Sequence, residues 1–141
     1  MILRTIIIDD EPDSVKLLQL QLTQYCPNAQ VVEAFTSSVK ALQNIETLRP
    51  DLLFLDIEMP VMNGFELLEK ILHLNFSVVF VTAYNQFALK AFRFNALDFL
   101  VKPIDTKELI EAVSKAEKRI KPTSTQLSML QKQLRGEPAC Y

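Results

Sequence analysis

The sequence predicts an α/β fold built on a parallel sheet of five strands, with helices on both faces. Three observations support this prediction. Short aliphatic runs alternate five times with stretches in which apolar residues recur at helical spacing. The runs are almost continuously apolar, as strands covered on both faces require. Acidic and other polar residues collect where the runs end.

The first strand and helix are predicted at residues 4–8 and 13–25. The run RTIII is short and β-branched, which favours a buried strand. Pro12 suits the first position of a helix, and Pro27 suits the region just past its end. The helix is marked by four apolar residues at helical spacing: Val15, Leu18, Leu22 and Tyr25.

The second strand is predicted at residues 29–35, with the sequence AQVVEAF. The hydroxyl side chains of residues 36–38 are suited to capping the N-terminus of a helix. That helix is expected to end before Pro50. Its apolar residues are Val39, Leu42 and Ile45.

Three further apolar runs predict strands at residues 51–55, 77–82 and 97–101. The helices that follow are marked by Phe65, Leu68 and Leu72, by Phe87, Ala88, Ala91 and Phe92, and by Leu109, Ala112, Val113, Ala116 and Ile120. The fifth helix is expected to end near Pro122. The alternation predicts right-handed crossovers and a flavodoxin-like, doubly wound (βα)5 architecture with strand order 2-1-3-4-5.

The length of 141 residues fits one domain. We assign residues 1–121 to the α/β domain and residues 122–141 to a linker or C-terminal extension. Leu127, Leu130 and Leu134 form a stripe in this last segment that is compatible with a helix. The segment has too little apolar mass for a second domain, so any output domain is expected to be absent from this sequence.

The composition excludes several classes of protein. Hydrophobic residues make up 49% and charged residues 23%, with a net charge of -2, so the chain is neither disordered nor a basic nucleic-acid binder. No run approaches the ~18 apolar residues of a membrane span, and acids come too early for a secretory signal. Cys26 and Cys140 lack metal-ligand spacing, and we interpret them as reduced thiols of a cytoplasmic protein.

Candidate site residues occur at the carboxyl ends of four of the five predicted strands. They are Asp9, Asp10 and Glu11 after the first, Asp56 after the third, Thr82 after the fourth and Lys102 after the fifth. The carboxyl ends of parallel strands share one edge of the sheet, which is where such folds bind ligands. We therefore expect these side chains to converge on one site.

Closely spaced carboxylates repel one another, and a hard cation removes that cost. Mg2+ prefers oxygen ligands and binds through one or two carboxylates together with phosphate oxygens. With a metal and Lys102 to offset negative charge, Asp56 is a candidate nucleophile that would form an acyl-phosphate. Thr82 is a candidate hydrogen-bond donor to a phosphoryl oxygen. The pattern therefore predicts phosphoryl chemistry with Mg2+ at Asp56.

Each of these residues also has a simpler interpretation. The acids at residues 9–11 would suit the N-terminus of the first helix, where negative charge is favoured. Taken alone, Thr82 is typical of a strand-end hydroxyl, and Lys102 and His73 of solvated side chains. Because Asp56 and Lys102 are predicted at the same edge as the acids, the combined pattern favours the functional interpretation.

A set of short motifs carries a family resemblance. The motifs are Asp9-Asp10 after the first strand, Asp56 in FLDIEMPVMNG, Thr82-Ala83 after the fourth strand and Lys102-Pro103 after the fifth. With them the sequence resembles the receiver domain of a bacterial two-component response regulator, over about residues 1–122. The stretch TAYNQFALKAFRFNALDFLVKPI, residues 82–104, is similar to receivers that precede a LytTR-type DNA-binding domain.

The resemblance implies a phosphoacceptor and a metal site. Asp56 would receive the phosphoryl group. Asp10 and Asp56 would bind Mg2+ directly, together with the main-chain carbonyl of Glu58, and Asp9 would contribute through water. Mg2+ is thus the one cofactor that the resemblance implies.

The resemblance also implies which residues respond to phosphorylation. Thr82, Ala83 and Lys102 would contact the phosphoryl group, and Thr82 and Phe99 would change position on activation. Many receivers have tyrosine at the position of Phe99, so this chain lacks the outward-facing hydroxyl. Tyr84 and Glu58 stand where family members tune the lifetime of the phosphoryl group.

The implied partner is a sensor histidine kinase that supplies the phosphoryl group. The implied output is transcription regulation through a LytTR-type DNA-binding domain that is absent from this chain, which would be the only contact with DNA. A homodimer through the face made by helix 4, strand 5 and helix 5 is the family's usual assembly. The alternative is a stand-alone receiver that acts by protein–protein interaction. In both cases we expect a switch that promotes only its own phosphorylation and dephosphorylation, not an enzyme, and no contact with a membrane.

Two other classes use related α/β folds. A phosphatase of the haloacid-dehalogenase type needs D-x-D-x-T after a strand, which neither DDEPD nor DIEMP provides, and the chain has no room for a cap segment. A flavodoxin needs a Ser/Thr/Gly-rich phosphate loop where this sequence has DDEP. The glycine-rich loops of P-loop and dinucleotide-binding proteins are also missing from the sequence. These observations favour the phosphoacceptor.

Overall fold

The sheet has the predicted architecture. The structure is a computed structural model that describes residues 2–71 and 74–134, with side chains described as far as Ile120. All neighbouring strands are parallel, in the order β2-β1-β3-β4-β5. The strands are β1 (Leu3–Ile8), β2 (Ala29–Phe35), β3 (Leu52–Leu55), β4 (Ser77–Thr82) and β5 (Asp98–Val101). The predicted fold class and strand order are therefore confirmed.

Five helices connect and follow the strands. They are α1 (Pro12–Tyr25), α2 (Ser38–Leu48), α3 (Gly64–Lys70), α4 (Ala88–Arg93) and α5 (Thr106–Leu134). A 3-10 turn over Asn85–Phe87 leads into α4. Pro12 begins α1, as predicted, because its missing N–H would have no partner inside the helix at that position. Ser37 caps α2, since its side chain accepts a hydrogen bond from the Lys40 N–H at 3.3 Å.

The sheet carries an apolar core on each face. Alternate strand residues point to opposite faces, so Ile7 packs with α1 and α5, whereas Ile6 and Ile8 pack with α2, α3 and α4. The same alternation separates Phe54 from Leu55 on β3. Both faces are covered, which explains why the strands read as continuous apolar runs.

The fifth helix corrects one prediction, because it does not end near Pro122. The backbone of α5 stays helical from Thr106 to Leu134, a length of 29 residues. A proline inside a helix costs about 3 kcal/mol, but it can be tolerated with a kink when the flanking segments favour helix. Strong helix formers flank this proline, mainly lysine, glutamate and alanine before it and glutamine and leucine after it. The linker assignment of residues 122–141 stays a prediction.

Other residues differ from expectation or lie outside the described part. Phe92 marks α4 as predicted, but its side chain is 68% exposed because α4 is only six residues long and buries Ala91 alone. Cys26 is a free thiol in the core, where burial and the nearby Glu117 carboxylate raise its pKa. The predictions for Leu72, His73, Cys140 and the side chains of Leu127, Leu130 and Leu134 fall outside the described residues. Among the described helices, none combines the length and apolar character needed to span a membrane.

Candidate functional site

The ends of the central strands are fixed side by side by backbone hydrogen bonds that continue past the strands. The Asp56 N–H donates to the Ile8 carbonyl at 2.9 Å, and Asp9 follows Ile8 directly. The Lys102 N–H donates to the Thr82 carbonyl at 2.8 Å. These bonds place Asp9, Asp56, Thr82 and Lys102 along one edge of the sheet, as the sequence predicts.

The Lys102 ammonium group is the centre of the polar contacts at this edge. Its Nζ donates to Asp9 Oδ2 at 2.7 Å, to Asp56 Oδ2 at 3.4 Å and to Ser14 Oγ at 3.3 Å. The Glu11 carboxylate lies 3.6 Å away. Only 19% of the Lys102 side chain is exposed. Lys102 is therefore an internal partner of the acids and not a solvated surface lysine.

Asp56 is buried and held by its own backbone surroundings. Its Oδ1 accepts a hydrogen bond from the Ile57 N–H at 2.7 Å, which leaves Oδ2 facing Lys102. The Gly64 N–H donates to the Ile57 carbonyl at 2.8 Å. A Cβ atom at Gly64 would collide with the Asp56 carbonyl oxygen and lie 3.1 Å from the Ile57 Cα. Glycine at position 64 thus lets α3 approach the backbone of Asp56 closely.

The surroundings shift the pKa of both charged partners. Burial raises the pKa of Asp56 to about 6, and repulsion by Asp9 adds to this effect, although Lys102 and the Ile57 N–H oppose it. Burial lowers the pKa of Lys102, but the hydrogen bond to Asp9 and the charges of Asp56 and Asp9 outweigh burial, so the pKa is raised overall. Lys102 therefore remains an ammonium group that stabilises the ionised acids.

The acids form an oxygen-rich group that fits a hard cation. Carboxylate oxygens of Asp9, Glu11 and Asp56 all lie within 4.8 Å of one another. The Glu58 carbonyl takes part in none of the hydrogen bonds found among the described residues, so it is available as a further oxygen donor. Mg2+ prefers such a set of carboxylate and carbonyl oxygens. The donor set is therefore compatible with the predicted metal.

Asp10 stands apart from this group, although the sequence places it among the acids. It is half-buried, and it is not one of the three residues whose carboxylate oxygens lie together. Glu11, its neighbour, is exposed and contributes to the group instead. The division of roles between Asp9 and Asp10 stays a prediction.

The residues expected to respond to phosphorylation lie beside the acids. Thr82 is fully buried, and its Oγ1 accepts a hydrogen bond from the Tyr84 N–H at 3.4 Å. Ala83, next to it, is exposed. Phe99 on β5 is half-buried and packs against the core formed with α2, α3 and α4. Thr82 and Phe99 are thus on adjacent strands, as the predicted switch requires.

Two residues at this edge were missed at the level of sequence. Ser14 lies on α1 and contacts Lys102, 88 residues later in the chain. Gln21, also on α1, donates from Nε2 to the Ile104 carbonyl at 3.2 Å. Nothing in the local sequence distinguishes these residues from other polar residues on α1, because their contacts depend on how the helix packs against the loop after β5.

The chain is similar to known sequences over most of its length. Residues 5–114 match the family model described as the response regulator receiver domain. The sensory transduction protein LytT of Enterococcus faecalis is 38% identical over 120 residues, which cover 84% of this chain and 49% of the relative. The transcriptional regulatory protein BtsR of Salmonella typhi is 38% identical over 109 residues, which cover 76% and 45%. The chain spans about half the length of these curated relatives.

Solved structures show the same similarity. The REC domain of AraT, a response regulator from Geobacillus stearothermophilus, aligns with a TM-score of 0.75 and 29% identity, covering 88% of this chain and 99% of that domain. The response regulatory domain of mrkE from Klebsiella pneumoniae aligns with a TM-score of 0.75 and 25% identity, covering 82% and 96%. Together with the acids and the lysine at the carboxyl edge, these matches show that the chain belongs to the response regulator receiver domain family.

Proposed function

We propose that this receiver accepts a phosphoryl group on Asp56 from the phosphohistidine of a sensor histidine kinase, with Mg2+ as cofactor. The observation that carries the proposal is the setting of the Asp56 carboxylate. It is buried, one of its oxygens accepts the Ile57 N–H, and the other faces the Lys102 ammonium at 3.4 Å. A carboxylate held in this way is positioned for reaction at one oxygen.

In the transfer, Asp56 Oδ2 forms a bond to phosphorus while the bond between phosphorus and the histidine nitrogen breaks, and its electron pair returns to the imidazole. The product is an acyl-phosphate on Asp56. Because the attacking group must be ionised, the raised pKa of about 6 makes the metal-free receiver a better nucleophile above that pH. Lys102 favours the ionised form, since it lies close to the same oxygen.

Lys102 and Thr82 would then hold the product. The Lys102 ammonium already reaches Asp9 at 2.7 Å and Asp56 at 3.4 Å, so a phosphoryl oxygen on Asp56 would enter its range. The Thr82 hydroxyl can donate to a second phosphoryl oxygen, because among the described residues its one hydrogen bond is as the acceptor of the Tyr84 N–H. The Ala83 main chain lies next to it. This redistribution of hydrogen bonds would start the switch.

Mg2+, when bound, offsets the negative charge that builds up on the phosphoryl oxygens. We assign Asp10, Asp56 and the Glu58 carbonyl as direct ligands and Asp9 as a ligand through water. The cluster of acids and the free Glu58 carbonyl support a metal site here. Glu11 competes with Asp10 for the role of second carboxylate, because its oxygens lie in the cluster.

The phosphoacceptor is tested by mass spectrometry of the intact protein after incubation with Mg2+ and acetyl phosphate. We expect one added phosphoryl mass in the wild type, none in Asp56→Asn, and normal phosphorylation in the control Asp13→Asn, an exposed acid on α1. Borohydride reduction of the acyl-phosphate followed by peptide mapping should locate the label at residue 56. Full labelling of Asp56→Asn would overturn the assignment.

A titration with Mg2+ separates the two candidate carboxylates. Loss of a direct carboxylate ligand removes both charge and one coordination position, so Asp10→Asn should weaken binding about tenfold or more. Glu11→Gln should weaken it less, because Glu11 would act only through the field of its charge. The reverse order would assign the ligand role to Glu11.

We further propose that the complete protein controls transcription through a LytTR-type DNA-binding domain. Support comes from the names of the relatives LytT and BtsR, the second of which is described as a transcriptional regulatory protein, and from their length, about twice that of this chain. The test is the sequence that follows residue 141 in the gene. A continuation without such a domain would favour a stand-alone receiver that acts through protein partners.

A further inference from the structure

We propose that Gln21 is a positioning residue for Lys102. Its side-chain amide fastens the loop after β5 to α1, and this sets how far the Lys102 ammonium reaches into the acidic site. The consequence for phosphoryl transfer rests on the function proposed above, whereas the restraint on Lys102 does not.

The first support is the hydrogen bond that joins two distant parts of the chain. Gln21 Nε2 donates to the Ile104 carbonyl at 3.2 Å, across 83 residues of sequence. At its other end the loop is held by the bond from the Lys102 N–H to the Thr82 carbonyl at 2.8 Å. Within the described residues, the Gln21 amide is the one side chain that hydrogen-bonds to residues 103–105.

The second support is the arrangement of α1. Ser14, Leu18 and Gln21 are spaced four and three residues apart and so lie on one face of the helix. Leu18 is buried in the core, Ser14 accepts from Lys102 Nζ at 3.3 Å, and Gln21 holds Ile104. One helix face thus contacts both the charged end of Lys102 and the loop that carries it.

The third support is the space around Lys102. A groove of about 310 Å³ runs between α1 and the loop, and Ser14, Gln21, Lys102 and Ile104 are among the residues that line it. Lysine has a flexible four-carbon stem, so an open groove beside it offers the ammonium other positions. A fixed loop limits those positions and keeps Nζ near Asp9 and Asp56.

The fourth support is that the two ends of the Gln21 amide have opposing effects on folding. Its Oε1 is buried and has no hydrogen-bond partner among the described residues. An unpaired buried acceptor costs free energy that offsets the gain from the Nε2 bond. Methionine at this position would remove both the bond and the unpaired oxygen while keeping a similar volume. The effect of Gln21 on the position of Lys102 can therefore be separated from its effect on folding stability by the substitution Gln21→Met.

The experiment measures the reactivity of Lys102 directly. Wild type, Gln21→Met and the control Gln24→Met, an exposed glutamine on the same helix, are pulsed with an N-hydroxysuccinimide ester of acetate. Acetylation of Lys102 is then quantified by peptide mass spectrometry relative to Lys107, which is exposed. We expect Lys102 to react several-fold faster in Gln21→Met, with Lys107 and the melting temperature unchanged. Gln21→Ala, which opens the groove, serves as a second variant.

Equal Lys102 reactivity in wild type, Gln21→Met and Gln21→Ala would overturn the inference. A parallel assay with Mg2+ and acetyl phosphate distinguishes the two proposals. If the wild type takes up no phosphoryl group, the proposed function fails, but the labelling result still decides the role of Gln21. If the wild type is phosphorylated, Gln21→Met should show a lower maximal rate with a similar half-saturating concentration of acetyl phosphate, and an unchanged rate would contradict the link to transfer.

Discussion

The carboxyl group of Asp56 combines two properties that oppose each other in the folded protein. It lies buried next to Asp9, which favours the protonated form, yet the proposed reaction needs the ionised form. Lys102 and the Ile57 N–H compensate only in part, since the pKa stays at about 6. Folding therefore holds this acid in a state that costs free energy at neutral pH.

This conflict predicts that Asp56→Asn raises the stability of the folded protein in a pH-dependent way, when the protein is kept free of metal with EDTA. The folded pKa of about 6 lies above the ordinary value of 3.8, so the folded state binds the proton more tightly than the unfolded state. Stability from Asp56 is therefore full below pH ~4 and is lost as the pH rises through about 6. Asparagine has no such loss, so the free energy of unfolding of the variant relative to wild type should rise by at least about 1 kcal/mol between pH 4 and pH 7.5.

Urea unfolding at several pH values measures this difference. Near pH 4 the two proteins should have similar free energies of unfolding, apart from a constant offset. Glu46→Gln, which removes an exposed acid on α2, serves as the control. A difference between Asp56→Asn and wild type that does not change between pH 4 and 7.5 would contradict the prediction.

At the scale of elements, α3 has an N-terminus that is fixed by a complete capping box. The helix has seven residues, which are too few for it to be stable in isolation. Its N-cap therefore contributes a large share of its stability. The Asn63 side chain accepts from the Glu66 N–H at 2.9 Å, and the Glu66 side chain accepts from the Asn63 N–H at 3.0 Å. The next residue, Gly64, lies close to the backbone of Asp56. The capping box therefore also helps to hold α3 against the site.

Asn63→Ala is expected to lower the free energy of unfolding by about 1 kcal/mol, because it leaves the Glu66 N–H without its side-chain acceptor. Asn63→Asp keeps an acceptor at the cap and should stay within a few tenths of wild type. Urea denaturation measures both. If Asn63→Asp loses as much stability as Asn63→Ala, the amide makes a contact other than the cap.

Most elements could be predicted from the sequence because their signals are local. β2 and β4 have the predicted bounds, and α1 begins at Pro12, the residue that was predicted to start it. The failure at α5 has a physical reason, since proline penalises a helix locally while helix-forming flanks act over many residues. For α4, the pattern identified a helix but gave no measure of how little of it the core would cover.

The sequence predicts the site residues only where the strand topology alone determines their position. Parallel strands must end at one edge, so Asp56 and Lys102 were expected there together, and they are. The hydrogen bonds that individual side chains make at the site could not be predicted from the sequence. The contact from Ser14 to Lys102 and the bond from Gln21 to Ile104 depend on helix packing between residues more than eighty positions apart.

For the whole molecule, we propose that phosphorylation promotes a homodimer through α4, β5 and α5. A phosphoryl oxygen that bonds Thr82 would draw it toward Asp56 and leave space into which Phe99 can rotate, which alters the packing under α4. That face already exposes Leu89 and Phe92, each at 68%. A ligand shifts such an equilibrium only if it interacts differently with the two states.

Analytical ultracentrifugation with and without beryllofluoride, a mimic of the phosphoryl group, tests this assembly. We expect dimerisation to strengthen about tenfold or more on addition of the mimic. Leu89→Ser and Thr82→Ala should reduce the response, whereas Leu20→Ser, which changes a leucine on α1 that is 67% exposed, should not. Dimerisation independent of beryllofluoride would show a constitutive contact, and its loss only in a chain ending at Lys121 would move the interface to the C-terminal segment.

The length of α5 has a mechanical consequence. Its last 14 residues, 121–134, follow the part that packs against the sheet and extend the helix by about 21 Å. A straight helix of that length would act as a lever arm whose fulcrum is the buried packing around Ala116. A tilt of about 10° at Ala116 would displace residue 134 by about 5 Å, because the 18 residues between them span about 27 Å at a rise of ~1.5 Å per residue. A movement of an ångström in α5 beside β5 would therefore become a displacement of several ångströms at residue 134.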